Sequence, residues 1–274
     1  MSSPKMEQII DLARAFVKEY MSTWDPSHDY THILRVLHTA RTIEASMREL
    51  HPEIIIDSNV VTLGAMLHDV GDRKYVQATE NAAALVQEKL IELGADKELA
   101  KKVQTICTNV SYNAETKSKA SQEAVAKLCL EIPELAIVQD ADRLDSIGAT
   151  GIARLFAFSG AKCQERGLSI DHFYEKLIKL VDLMKTEPGK KLAQEQTDRL
   201  NTFLGWWAIE TKDVEGLAEE EDVLRSAEAK KWAEEAERKK ILANGVTTKL
   251  EADLDAEDAK WAQETGAKKV DDSV

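Results

Sequence analysis

The chain predicts an all-α fold, on its composition and on the spacing of its apolar residues. Aromatic residues make up only 5% of the 274, while Ala, Leu, Lys and Glu dominate, the types that lose least rotamer freedom in a helix. At 43% hydrophobic residues, a chain of this length can fill a core of its own.

The elements follow in order from apolar periodicity and from the residues that interrupt it. Residues 6–20 carry Ile9, Ile10, Leu12, Ala13, Phe16 and Val17 at mostly helical spacing and end before Trp24-Asp25-Pro26-Ser27. A second helix runs from about Tyr30 to Leu50 on the stripe Ile33, Leu34, Val36, Leu37, Ala40, Ile43 and Met47, stopped by His51-Pro52. The run from Val60 to Leu67 is almost wholly apolar, the mark of a helix buried on most of its surface. Further helices are expected near 80–93 and 97–110, then a polar loop from Ser111 to Ser118 and a helix from Ser121 to Leu130. Pro133 opens a segment, Glu134 to Ile147, in which Asp140, Asp142, Arg143 and Asp145 crowd beside an apolar strip. Residues 148–161, a loop near 162–169, and helices near 171–185 and 190–211 complete a compact part reaching residue 212, for seven to nine helices in all. Residues 213–274 form a separate charged, helical extension with 18 acidic against 10 basic residues and a thin apolar supply.

Bulk properties exclude several classes. The three cysteines, Cys107, Cys129 and Cys163, are odd in number and widely spaced, which suggests neither a disulfide framework nor a thiolate metal site and fits a reducing compartment. The start carries charges where a secretory segment needs an apolar run, and nowhere do about 18 apolar residues follow one another, so a cytoplasmic setting without membrane association is expected. A net charge of −13 speaks against stable nucleic-acid binding, which draws affinity from basic clusters. An anionic small molecule must then be met by a local basic pocket.

The histidines carry the chemistry. His68 and Asp69 stand side by side at the end of the apolar run, and imidazole nitrogen with carboxylate oxygen suits a borderline or hard divalent ion. A helix-end His and Asp can equally satisfy orphan backbone groups, so the doublet alone decides nothing. There is no glycine-rich phosphate loop and no serine nucleophile motif.

Three strings together, HDYTHILRV at 28–36, GAMLHDVGD at 64–72 and VQDADRLDSIGATGIAR at 138–154, resemble the HD-domain superfamily of metal-dependent phosphohydrolases. With HFYEKL at 172–177 they are most similar to its small nucleotide pyrophosphohydrolases, and the likeness spans residues 8–210. It implies an HD-type helical bundle and one divalent ion, Mn first and Fe, Co, Zn or Mg as alternatives, held by His32, His68, Asp69 and Asp142. His28 and His38 are rivals of His32; His38 lies six residues on, roughly 240° around the helix. Asp140 and Asp145 are rivals of Asp142, Asp145 more naturally orienting a ligand or a water. Some family members recruit further histidines for a second ion, but residues 70–139 contain none, which favours one ion and counts against the di-iron oxygenases of the same fold.

The resemblance further implies Asp72 as general base for an attacking water. Among the motif cations Arg35, Arg73, Lys74, Arg143 and Arg154, Arg35 and Lys74 are the first choices for phosphate oxygens. Tyr112 and Asn109 either shape a nucleoside end or simply pack. The expected activity is hydrolysis of a phosphate or pyrophosphate bond in a small nucleotide, a nucleoside triphosphate by family likeness. The alternatives are a nucleoside monophosphate phosphatase, or a nucleotide-binding signalling module without turnover whose tail recruits a partner. Oligomeric state stays open, a homodimer among the options.

Overall fold

In the computed structural model, which describes residues 5–22, 24, 28–71, 83–162 and 169–212 together with 231 and 234, the chain is helical and contains no strand among the described residues. It divides into two compact units, residues 1–206 and 207–274; the acidic extension, Cys163 and residues 72–82 fall largely or wholly outside the description. None of the described helices is long and apolar enough to cross a membrane.

The helices are α1 (Met6–Tyr20), α2 (Tyr30–Leu50), α3 (Ser58–Leu67), α4 (Leu85–Glu92), α5 (Lys97–Asn109), α6 (Tyr112–Thr116), α7 (Lys119–Glu131), α8 (Pro133–Asp145), α9 (Gly148–Lys162), α10 (Asp171–Glu175) and α11 (Glu187–Glu210), with a 3-10 turn at Leu177–Leu183. The stretch expected as a loop over 111–118 folds α6 instead. The helix expected over 171–185 is broken into α10 and the 3-10 turn. The described residues thus hold eleven α-helices and one 3-10 turn, more than the seven to nine helices expected.

At the centre α2, α3 and α8 pack on one another, with α1 and α5 against α3 and α4 against α5. Every residue of α3 from Val60 to Leu67 is buried, as its unbroken apolar run dictates. Asp57 caps its N-terminus, accepting from the amides of Asn59 and Val60, and Gly71 follows its end at φ +83, a left-handed conformation that glycine adopts without steric penalty. Asp29 caps α2 in the same way, accepting from the amides of Thr31 and His32.

α8 is buried almost throughout, Asp140, Arg143 and Asp145 included. Asp140 ties down the start of α11: its Oδ1 accepts from the Lys185 amide at 2.8 Å and its Oδ2 from both the amide and the hydroxyl of Thr186 at 2.7 Å. The Thr186 hydroxyl in turn accepts from the Gly189 amide at 3.0 Å. Arg143 pairs with buried Glu115 of α6 and donates to the Leu183 carbonyl at 2.7 Å, while Lys185 reaches Glu115 at 2.7 Å. Buried charges are tolerable only when paired like this.

A Cβ at position 189 would lie 2.7 Å from Thr186 Oγ1 and 2.8 Å from Asp140 Cγ, closer than carbon atoms allow. Gly189→Ala is therefore expected to destabilise the fold by about 1–3 kcal/mol, the usual cost of overpacking, read as a lower denaturant midpoint with an unchanged slope.

Candidate metal centre

Three helices bring the centre together. His32 sits in the first turn of α2, where the Asp29 carboxylate accepts its backbone amide at 3.1 Å. His68 is the residue that closes α3, with Asp69 next to it. Asp142 and Asp145 stand one turn apart near the end of α8. The positions expected as ligands, His32, His68, Asp69 and Asp142, thus meet across three elements from distant parts of the chain.

Hydrogen bonds decide which nitrogen of each ring faces inward. His32 Nδ1 lies 2.7 Å from Asp145 Oδ2, and because a carboxylate only accepts, Nδ1 is the donor. His68 Nδ1 lies 2.9 Å from the Ala65 carbonyl and donates to it, satisfying a helix-end carbonyl with the ring itself. Both Nε2 atoms therefore point at one another, 3.3 Å apart.

Carboxylates complete the convergence. Asp142 Oδ1 is 3.6 Å from both Nε2 atoms. Asp69 divides its oxygens, Oδ2 at 3.3 Å from His32 Nε2 and Oδ1 at 3.5 Å from His68 Nε2. Asp69 Oδ2 is buried without a hydrogen-bond partner. One donor atom each from His32, His68 and Asp142 lies within 4.8 Å of the others.

The donor set fits a divalent cation. Donors bound at about 2.1 Å to a single ion stand roughly 3.0–3.4 Å apart from their neighbours, close to the spacing found. With neutral rings the four inward groups are all acceptors, and their two carboxylates match a charge of +2. The electrostatics point the same way: burial disfavours a charged His68, but Asp69 and Asp142 outweigh it and raise its pKa to about 9. Burial likewise opposes ionised Asp69 and Asp142, yet the two histidines hold both well below the usual carboxylate range. All three directions favour positive charge among these side chains.

The remaining candidates fall around it. Arg35 donates through Nε to Asp145 Oδ1 at 2.7 Å and through Nη2 to Oδ2 at 2.9 Å, with Nη1 on the Thr31 hydroxyl at 3.0 Å. Arg154 of α9 brings Nη1 within 3.1 Å of the same Oδ2. His28 stands edge-on to His32, ring centroids 5.9 Å apart, whereas His38 is exposed, away from the centre. Asp140 and Arg143 face the α11 and α6 side of α8. The Asn109 side chain donates to the Thr105 carbonyl at 2.8 Å, and Tyr112 lies under the Lys176 ammonium at 4.4 Å. Asp72, Arg73 and Lys74 lie outside the described residues. Sequence reasoning missed the Asp29 cap, whose signal was an acidic residue immediately before the α2 stripe.

Known proteins resemble this chain in sequence and in fold. A family model described as HD domain matches residues 29–147, a span containing His32, His68, Asp69, Asp142 and Asp145. The Bacillus subtilis (strain 168) protein YpgQ is 34% identical over 210 residues, 74% of this chain and 93% of that one. The crystal structure of Bacillus subtilis YpgQ in complex with ADP resembles this fold with a TM-score of 0.58 at 28% identity, covering 77% of this chain and 98% of that one. An HD-superfamily hydrolase from Bacillus thuringiensis does so with a TM-score of 0.56 at 30% identity, covering 75% and 98%.

If the convergent atoms hold an ion, His68→Ala is expected to weaken Mn2+ binding by more than about 100-fold, beyond the range for losing an outer partner of a ligand. His38→Ala is expected to bind Mn2+ like the wild type, and titration calorimetry on the ion-free protein compares them.

Proposed function

Because the chain belongs to the HD-domain superfamily of metal-dependent phosphohydrolases, we propose that His32, His68, Asp69 and Asp142 hold its divalent ion and that it hydrolyses the α–β phosphate bond of a nucleoside triphosphate. The observation that carries the metal assignment is the inward meeting of the His32 and His68 Nε2 atoms with two carboxylates, one of whose oxygens is buried and unpartnered. The nucleotide assignment is supported by the ADP complex of the YpgQ relative and by the motif likeness to small nucleotide pyrophosphohydrolases. Mn2+ is the ion we favour, since mixed N and O ligands accept it and leave room for water.

When bound, the ion supplies acidification of a water from a pKa of 15.7 towards about 7 and neutralisation of phosphoryl charge. The chain's own residues supply the rest. Asp145 holds His32 in the tautomer that turns Nε2 inward. Asp72, three residues beyond Asp69, takes the proton of the attacking water. Lys74 and the Nη1 edge of Arg35, a side chain 36% exposed, meet phosphate oxygens while the other donors of Arg35 stay on Asp145.

The test is turnover of purified full-length protein with Mn2+ on nucleoside triphosphates and monophosphates, reading pyrophosphate and orthophosphate separately. Pyrophosphate from triphosphates is expected, and orthophosphate from monophosphates alone would replace this reading by the phosphatase. Activity equal to that of Asp69→Ala on every substrate would leave a nucleotide-binding module without turnover. Asp72→Asn is expected to lower turnover by about 100-fold, the lower range for losing a general base, with Mn2+ affinity retained; unchanged turnover removes Asp72 from the reaction.

A further inference from the structure

Asp145 is nearly buried, and its two oxygens gather more cationic and N–H partners than any other carboxylate around the centre. Oδ1 takes Arg35 Nε at 2.7 Å. Oδ2 accepts from His32 Nδ1 at 2.7 Å and from Arg35 Nη2 at 2.9 Å, and Arg154 Nη1 stands 3.1 Å away as an ion-pair partner. The arginines come from different helices, Arg35 one turn after His32 on α2 and Arg154 from α9. Arg154 lies beyond the span 29–147 that the HD family model matches, and its side chain is only 12% exposed.

This arrangement does two physical jobs. A carboxylate taken out of water keeps its charge only if that charge is met, and two guanidinium groups meet it without adding a further acceptor. The planar, two-donor grip of Arg35 fixes the plane of the carboxylate, and Arg154 loads the oxygen that faces His32. With its plane and position set, Asp145 can accept from the imidazole in one orientation only. That orientation makes Nδ1 the donor and leaves the Nε2 lone pair to the ion, and the adjacent negative charge strengthens that lone pair as a ligand.

We propose that Arg154 and Asp145 are positioning residues of the metal centre, a chain from α9 through α8 to α2 that holds His32 in its ligating tautomer and orientation. It rests on the reading of the centre as a metal site. Neither residue touches the ion or the substrate in this role; both act through His32. α9 thereby becomes part of the centre although it contributes no ligand.

The experiment titrates ion-free, full-length protein with Mn2+ alone, by calorimetry, for wild type, Asp145→Asn, Arg154→Gln and Arg154→Lys, with thermal melts of each ion-free form. The expected result is Mn2+ binding about 10–100-fold weaker in Asp145→Asn and Arg154→Gln. Arg154→Lys, which restores a cation beside Oδ2, should recover most of that loss, with melting unchanged across the set. Recovery by lysine separates positioning from a merely structural role, because a packing defect at Arg154 would not be repaired by a side chain of different shape. Wild-type binding of Mn2+ with equal affinity in Asp145→Asn and Arg154→Gln would overturn the proposal and leave the metal site standing. Absence of Mn2+ binding in the wild type would overturn both. Unfolding of both variants, or weakened binding that follows lowered melting without recovery by lysine, would assign the residues to the fold and overturn the proposal as well.

Discussion

The structure depends on a single electrostatic constraint: hydrogen-bond acceptors from three helices are aimed at one another in a largely buried space. The Nε2 atoms of His32 and His68 face each other because their Nδ1 atoms are already spent, one on Asp145 and one on the Ala65 carbonyl. Asp69 and Asp142 add charge of the same sign. Lone pairs so arranged repel unless a proton or a cation lies among them. Folding α2, α3 and α8 into contact therefore creates an affinity for positive charge, and the family to which the chain belongs uses a divalent ion. The same contacts that bury Ile33, Val36, Val61, Leu63, Ile137 and Ala141 bring the ligand candidates together, so core packing and site assembly are one process.

α8 carries this burden on two sides. Towards α2 it presents Asp142 and Asp145; on its other side Asp140 seizes the start of α11 and Arg143 joins Glu115 of α6. A rotation of α8 about its axis would detach both sets. The charges that look excessive beside an apolar strip are thus divided between chemistry and attachment, and each is met by a defined partner, as burial requires.

Much of the fold was legible because long amphipathic periods leave little choice: α1, α2, α5 and α8 begin and end within a residue or two of where their stripes and breakers place them. The shorter elements were not. The segment 112–116 is polar, and its buried Glu115 is held by Arg143 and Lys185, which lie 28 and 70 residues away. Likewise, no local signal separates α10 from the 3-10 turn that follows it. At the centre, the meeting of His32 with His68-Asp69 and Asp142 was readable only because three strings occurred in order; no one of them would have sufficed. The grip of Arg35 on Asp145 was hidden, since partners 110 residues apart leave no periodic trace, and that of Arg154 was hidden because it comes from the next helix, α9, where no helical spacing links it to Asp145 on α8. Asp72 and Lys74 fall outside the described residues.

The double commitment of α8 bears on how the protein can change over evolutionary time. With Asp140 and Arg143 engaged in attachment and Asp142 and Asp145 at the centre, and with apolar neighbours packed between them, few positions on this helix can drift without consequence. Diversification of substrate choice among descendants of this chain would have to be written elsewhere, in segments that neither fasten α11 nor furnish the cation pocket. A descendant that rewrote α8 freely would be expected to lose the cation pocket and the fastening of α11 together.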